Sequence, residues 1–281
     1  MTPTELPSFD LVVATVDRVD ELEGLLGSLE RQTHSAFRIL LVDQNEDDRL
    51  AEVLSRHGSL EVEHLRASRG LSHARNAALG RVRAELVAFP DDDCIFPDNA
   101  LERVARRFAD DPSLAGLSGR AVDSLGRSAS SWARDAAELT RENLWNRVIS
   151  FAVFLRVSVV RVVGEFDEQL GLGSGAPWSS GEETEYLVRA LDAGARIEYD
   201  PELVVLHEDK TFSPATLSEV GARDGASVGY ILRKHGYPIR TVGGMFVRPI
   251  AGALVALARR DRARMHFHVS TLRGRMLGYR S

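Results

Sequence analysis

The sequence predicts an α/β fold: a mostly parallel sheet flanked by helices, with a helical C-terminal tail. Three observations predict it. The apolar runs FDLVVA (9–14), FRILLVD (37–43), LEVEHL (60–65) and AELVAF (84–89) are largely continuous, as strands buried on both faces are. The segments between them place apolar residues at helical spacing, and strand–helix alternation implies βαβ units. Beyond residue 210 helical patterns take over.

The elements follow in order. In 19–31, Leu22, Leu25, Leu26 and Leu29 recur at i, i+3, i+4 and i+7. Leu50, Val53 and Leu54 mark a second helix in 47–57, and Leu71, Ala74, Ala78 and Leu79 a third at 71–80. A helix over 97–109 has Pro97 in its first turn and ends before Asp111-Pro112. From 123 to 150 small and polar residues read as an insertion or loop, after which ISFAVFLRVSVV (149–160) restores order. The glycine-rich GLGSGAPWSSG (171–181) leads into a helix at 182–193, then paired strand signals at ARIEYD (195–200) and ELVVLH (202–207). The tail reads as helices at 215–235, 244–260 and 261–278. The expected division is 1–209 for the sheet domain and 210–281 for a basic helical extension.

Composition excludes several classes. At 281 residues, 44% hydrophobic and 27% charged, the chain is neither disordered nor fibrous. Cys94 is the one cysteine, so no internal disulfide forms and a reducing, cytoplasmic setting is expected. The N-terminus shows no secretory pattern. No uninterrupted apolar stretch reaches membrane-spanning length: PIAGALVALA (249–258) stops at Arg248 and Arg259. The net charge of −6 hides an asymmetry. Residues 210–281 carry 13 Lys and Arg against three acids, net +10, leaving 22 against 38, net −16, in the remainder. A basic tail on an acidic body points to docking on an anionic membrane surface, at the inner face of the cell membrane, or to pairing with the acidic body. The tail's aromatics form no stacking platform, so nucleic acid is not expected as a partner.

Ligands of open parallel sheets collect beyond the carboxyl ends of the strands. Asp43 follows FRILLV, and Asp91, Asp92 and Asp93 follow AELVAF in FPDDDCIFP (89–97). Asp91 and Asp93, separated by one residue, point the same way in an extended turn. They form either a solvated turn or a site for a hard divalent cation, which takes one or two carboxylates and completes its shell with phosphates and water. Arg18 in ATVDR and Arg75 in SRGLSHARNAAL are the candidate diphosphate contacts, although no P-loop or G-x-G-x-x-G turn is present. Glu182, Glu183 and Glu185 crowd a helix start, suiting its dipole and, beside a glycine-rich loop, a general base. Trp178 stacks on an acceptor or anchors its loop, and His207 ends a strand near the acids.

In order, VVATVDR (12–18), SLERQT (28–33), ILLVDQNEDD (39–48), RGLSHARNAAL (69–79), AELVAFPDDD (84–93) and GEETEYLVRALDAGARIEYDPELVVLHE (181–208) resemble the family 2 glycosyltransferases of GT-A fold. The resemblance, over 9–208, implies transfer of a sugar from a nucleotide-diphosphate donor to a glycan or lipid-linked hydroxyl, with inversion and with Mn²⁺ or Mg²⁺. It implies Asp91, Asp93 and His207 as metal ligands. Thr15, Arg18, Asp43, Arg75, Asp91 and Asp92 fall on the nucleotide-sugar, Trp178 and Glu182 on the acceptor, and Glu183 at the base position. Glu183 stands where the family more often has Asp, one methylene shorter. The alternative is a non-catalytic nucleotide-sugar-binding or scaffold subunit of a polysaccharide-assembly complex.

Overall fold

A computed structural model describes residues 5–128, 132–208 and 212–281. The strands are β1 (Phe9–Thr15), β2 (Phe37–Asp43), β3 (Val62–Arg66), β4 (Leu86–Ala88), β5 (Gly116–Val122), β6 (Ala137–Glu138), β7 (Val153–Arg156) and β8 (Ile197–Leu206). They form one sheet in the order β3-β2-β1-β4-β7-β5-β8-β6. Pairing is parallel for β1 with β2 and β4, β2 with β3, and β5 with β8; β7 runs antiparallel to β4 and β5, as β6 does to β8. The expected mostly parallel α/β sheet is therefore present.

The helices are α1 (Asp20–Glu30), α2 (Ala51–Arg56), α3 (Leu71–Leu79), α4 (Ala100–Asp110), α5 (Val157–Val163), α6 (Glu182–Asp192), α7 (Pro214–Lys234), α8 (Ile239–Ala258) and α9 (Arg262–Arg280). The continuous apolar strands are explained by two cores. Leu11 and Val13 face one, with Leu22, Leu25, Leu26 and Leu29 of α1 and Leu101, Val104 and Phe108 of α4. Val12 faces the other, with Ala74 and Ala78 of α3 and Tyr186, Leu187 and Ala190 of α6. Successive side chains of a strand point to opposite faces, so burial of both requires apolar residues throughout.

One strand is added and one expectation is corrected. β5, GLSGRAV, carries two glycines, a serine and an arginine, and its sequence gave no strand signal. The two strand signals at 195–207 belong to the single strand β8. The break between them, Asp200-Pro201, sits where the register against β5 shifts between Ser118 and Arg120. A proline lacks the N–H that a ladder needs and is accommodated at such an irregularity.

The chain divides into two compact units, Met1–Arg69 with His73–Phe166 and Tyr186–Asp209, and Gly70–Ser72 with Asp167–Glu185 and Lys210–Ser281. The expected boundary at 209/210, and part of the 123–150 loop, lie outside the described residues. Within the second unit α7 and α9 pack with backbones in near contact. Gly221, Gly225 and Gly229, one turn apart on α7, meet α9, whose Gly274 and Gly278 meet α7. A Cβ on Gly274 or Gly278 would overlap the carbonyl oxygen of Ala222 or Ala226.

The tail also corrects the reading of its apolar stretch. α8 runs unbroken for 20 residues through Arg248 and Pro249 and, by length and composition, is long enough to cross a membrane. Pro249 has no N–H for the Met245 carbonyl one turn back. The Arg275 guanidinium of α9 donates to that carbonyl instead, so the freed acceptor is satisfied. Burial, with Arg248 nearby, pushes Arg275 down to about 10, which leaves it charged at neutral pH.

Gly274→Ala or Gly278→Ala should cost about 1–3 kcal/mol through backbone overlap, a fall of several degrees in Tm at roughly 2–4 °C per kcal/mol. Gly243→Ala, where nothing lies within 4 Å, should hold or raise Tm. Thermal unfolding of the three variants checks the contrast.

Candidate active site

Parallel pairing brings the acidic residues to one edge of the first unit. Thr15, the last residue of β1, is registered against Asp43, the last of β2. Asp91 continues from β4 and bridges Ala14 of β1, while a bridge between Ile95 and Leu206 brings the aspartates beside the end of β8, where His207 follows.

The aspartates are not left to repel one another. Arg18 Nη1 donates to Asp92 Oδ1 at 2.8 Å and to Asp93 Oδ2 at 2.7 Å. Partial burial opposes its charge, but Asp92 and Asp93 more than offset this and raise its pKa. Arg75 is 1% exposed and its guanidinium lies over the Phe89 and Phe166 rings. Its Nη2 donates to Asp91 Oδ1 at 3.1 Å. The Ser150 hydroxyl donates to the same oxygen at 3.2 Å. Burial drives the Asp92 carboxyl up, against the lowering effects of Thr15 and Arg18. The Cys94 thiol contacts the Asp91 carbonyl at 3.1 Å. Burial, then the charges of Asp91 and Asp93, push it well above the ordinary thiol value.

Asp93 Oδ1 lies 3.2 Å from His207 Nε2, and Phe151 stacks on the His207 ring at 5.0 Å. Of the three expected metal ligands, the structure thus joins Asp93 to His207, while Asp91 faces Arg75 and Ser150. Among the described residues no group of three or more His, Cys, Asp or Glu is arranged to hold a metal. A carboxylate and an imidazole nevertheless fit a divalent cation that draws its other ligands from phosphate and water.

Asp43 is fully buried and well supplied with donors. Its Oδ1 accepts from the Asn45 backbone at 2.9 Å and side chain at 2.7 Å; its Oδ2 lies 3.0 Å from His64 Nε2 and 3.3 Å from Arg66 Nη1. Asn45 Oδ1 also accepts from the Asp17 N–H at 2.7 Å, holding Asp17 in left-handed backbone with φ 58°. That conformation costs a non-glycine residue energy and recurs at functional loops. Sequence reasoning missed Asn45, His64 and Ser150. An Asn two residues beyond Asp43 was visible, but His64 and Ser150 become neighbours only through strand pairing.

The remaining candidates lie in the second unit. Glu182 is buried and Glu183 half-buried in the first turn of α6. Trp178 stacks face to face on Tyr230 of α7, 5.0 Å between centroids at 8°. One ring face is thereby covered, and its indole N–H is buried with no partner among the described residues. Ser180 Oγ lies 2.7 Å from Ser227 Oγ. The fully buried Glu185 receives Lys234 Nζ at 2.7 Å and His235 Nε2 at 3.0 Å. Lys234 also reaches Asp167 Oδ2 at 2.7 Å, and the Tyr230 hydroxyl donates to that oxygen at 2.9 Å. Burial alone would raise Asp167; Lys234, the Gln169 backbone and Tyr230 outweigh it and lower the pKa.

The sequence model of "Glycosyl transferase family 2" matches residues 10–159, more than half of the chain. The chain belongs to this family. A "Pre-mycofactocin glycosyltransferase" of Mycobacterium tuberculosis (strain ATCC 25618 / H37Rv) is 30% identical over 218 residues, covering 72% of this chain and 43% of that protein. The chain therefore spans under half the length of that curated relative. An "Uncharacterized glycosyltransferase" of Haemophilus influenzae is 26% identical over 104 residues, 37% of this chain and 35% of that one. In structure the chain is similar to a mannosyltransferase of Pyrobaculum calidifontis solved with GDP-Man and Mn²⁺: TM-score 0.65, 15% identity, covering 98% of this chain and 88% of the other. It is also similar to S. aureus TarS 1-349 solved with UDP-GlcNAc: TM-score 0.58, 16% identity, covering 95% and 90%. These likenesses establish the GT-A fold for this family member.

Because the Asp167 pKa is lowered, its stabilising contribution is complete above its ordinary value of about 4 and is lost as pH falls through its folded value. Asp167→Asn should therefore be less stable than the native chain at pH 7, with the gap closing below pH of about 4. Paired acid titrations of thermal stability check the sign.

Proposed function

We propose that the protein moves a sugar from a nucleoside-diphosphate donor to a glycan or lipid-linked hydroxyl acceptor, with inversion at the anomeric carbon, in the cytoplasm. The observation that carries this reading is the Asp93–His207 pair, 3.2 Å apart at the sheet edge of a family 2 chain. Asp93 and His207 would hold Mn²⁺ or Mg²⁺, with Asp91 beside them. The cation supplies Lewis acidity that offsets charge on the departing diphosphate.

The chain's own residues carry the other tasks. Thr15, Arg18, Asp43, Arg75, Asp91 and Asp92 form the donor side, where the network around Asp43 presents fixed polar groups to a nucleobase. Glu183 takes the proton of the acceptor hydroxyl as its oxygen attacks the anomeric carbon opposite the diphosphate. The bond to the diphosphate oxygen breaks, and the electron pair leaves with it. Trp178 and Glu182 flank the acceptor. The structural neighbours were solved with a guanosine and a uridine donor respectively, so both bases belong in any donor screen.

Thermal unfolding against GDP, UDP and their sugar conjugates, with and without Mn²⁺ or Mg²⁺, tests the reading. A ligand at about 100 times its Kd should stabilise by about 2.7 kcal/mol, several degrees for a chain of this size. Asp93→Ala should lose the metal-dependent part. Glu183→Gln should keep donor binding and lose about 10²–10⁴-fold in turnover. Donor binding with no turnover on any acceptor would favour the scaffold role, and no shift with any nucleotide would overturn the donor site.

A further inference from the structure

The second unit exposes an apolar surface that neither the donor site nor the proposed base uses. α8 buries Val242, Met245, Pro249 and Ala256 on one side. Its other side leaves Ile239, Val247, Ile250, Leu254, Val255 and Leu257 between 44% and 79% exposed. Spaced at 3.6 residues per turn, these six fall within one half of the helix circumference, with Gly243, Gly244, Ala251 and Ala258 filling the gaps and Arg240 on the same half at its N-terminal end. Only 22% of the most apolar window is buried, so α8 is not the core helix of a water-soluble bundle. A contiguous apolar face of this length marks a partner or membrane surface.

Charge decides the occupant. α8 contains no acid, and its charged residues are Arg240 and Arg248. Arg259, Arg260, Arg262 and Arg264 follow at once, and Asp261, the one acid among them, is engaged in capping α9 through the Arg264 N–H at 3.0 Å. A second copy of the chain would set this arginine fringe against itself, since a two-fold contact matches a patch with the same patch. An anionic bilayer answers both features, taking the apolar side chains into its surface and the arginines among its headgroups.

The helix also cannot leave its neighbour to span the bilayer. Arg275 of α9 bonds the Met245 carbonyl, and Gly252 lets α8 approach the His268 ring of α9 closely. α9 carries Arg262, Arg264, Arg273, Arg275 and Arg280 and is itself locked to α7 through glycines. Drawing α8 across would carry those arginines into hydrocarbon. We infer that α8 is an interfacial helix that lies flat on an anionic lipid surface, its Ile239–Leu257 face inserted to the headgroup–acyl boundary and its arginine fringe paired with lipid phosphates.

The test uses the full chain and vesicles of phosphatidylcholine alone or mixed with phosphatidylglycerol, in flotation at low and high salt. The native protein should float with anionic vesicles. Val247→Asp and Leu254→Asp, both at exposed positions, should each weaken binding by about tenfold or more, with Tm and donor binding unchanged. Retained donor binding separates failure here from failure of the glycosyl-transfer reading. Leu254→Trp should show a blue-shifted emission with vesicles and quenching by shallow-brominated lipids. Three results would overturn the inference: no flotation of the native chain; flotation that both Asp variants leave intact and high salt abolishes, which makes it headgroup attraction alone; or solution dimers that the Asp variants dissociate.

Discussion

Three adjacent carboxylates at the end of a buried strand repel one another, and the carboxyl edge of the sheet is arranged to answer that repulsion. Arg18 reaches across from the β1 loop to Asp92 and Asp93, and Arg75 comes from α3 to Asp91. Each arginine also ties a separate element to the same turn, so electrostatic compensation doubles as positioning. The buried Arg75 stands on two aromatic rings and cannot easily turn elsewhere. Asp93 also meets His207 at the end of β8. Fixed charge is thereby placed before any ligand arrives, and little reorganisation is needed when one does.

The second unit solves a different problem, that of joining long helices with little apolar surface between them. Glycines at one-turn spacing let the α7 and α9 backbones approach until side-chain volume ceases to matter. Dispersion contacts between backbones replace a leucine-filled seam. The Lys234, Asp167 and Glu185 cluster then ties the end of α7 to the loop and to the first turn of α6. Buried charges of this kind contribute little net stability but are costly to break singly, which favours one arrangement over its neighbours.

Much of this was legible in the sequence. Strands buried on both faces announce themselves by unbroken apolar runs, and helices by their spacing, so β1, β2, β4 and α1 were found close to their true bounds. Elements that break those rules were not. β5 is stabilised by its neighbours on either side rather than by its own residues, and β8 hides behind Asp200-Pro201. In the site, Asp43, Asp91 and Asp93 were visible because strand ends are visible. His64, Ser150 and Lys234 were not, because each meets its acid across a long sequence separation that no local pattern encodes. The spacing of Gly221, Gly225 and Gly229 marks close helix approach, although glycine in a helix taken alone signals weakness.

Cys94 has a practical consequence. Its thiol is completely buried beside a cluster of acids and held in the protonated form, and the thiolate is the species that alkylating and oxidising reagents attack. The native chain thus presents no competing reactive thiol in its folded state. A single cysteine placed at any exposed position would take a maleimide or spin label selectively, making the wild-type background itself a host for distance and mobility probes.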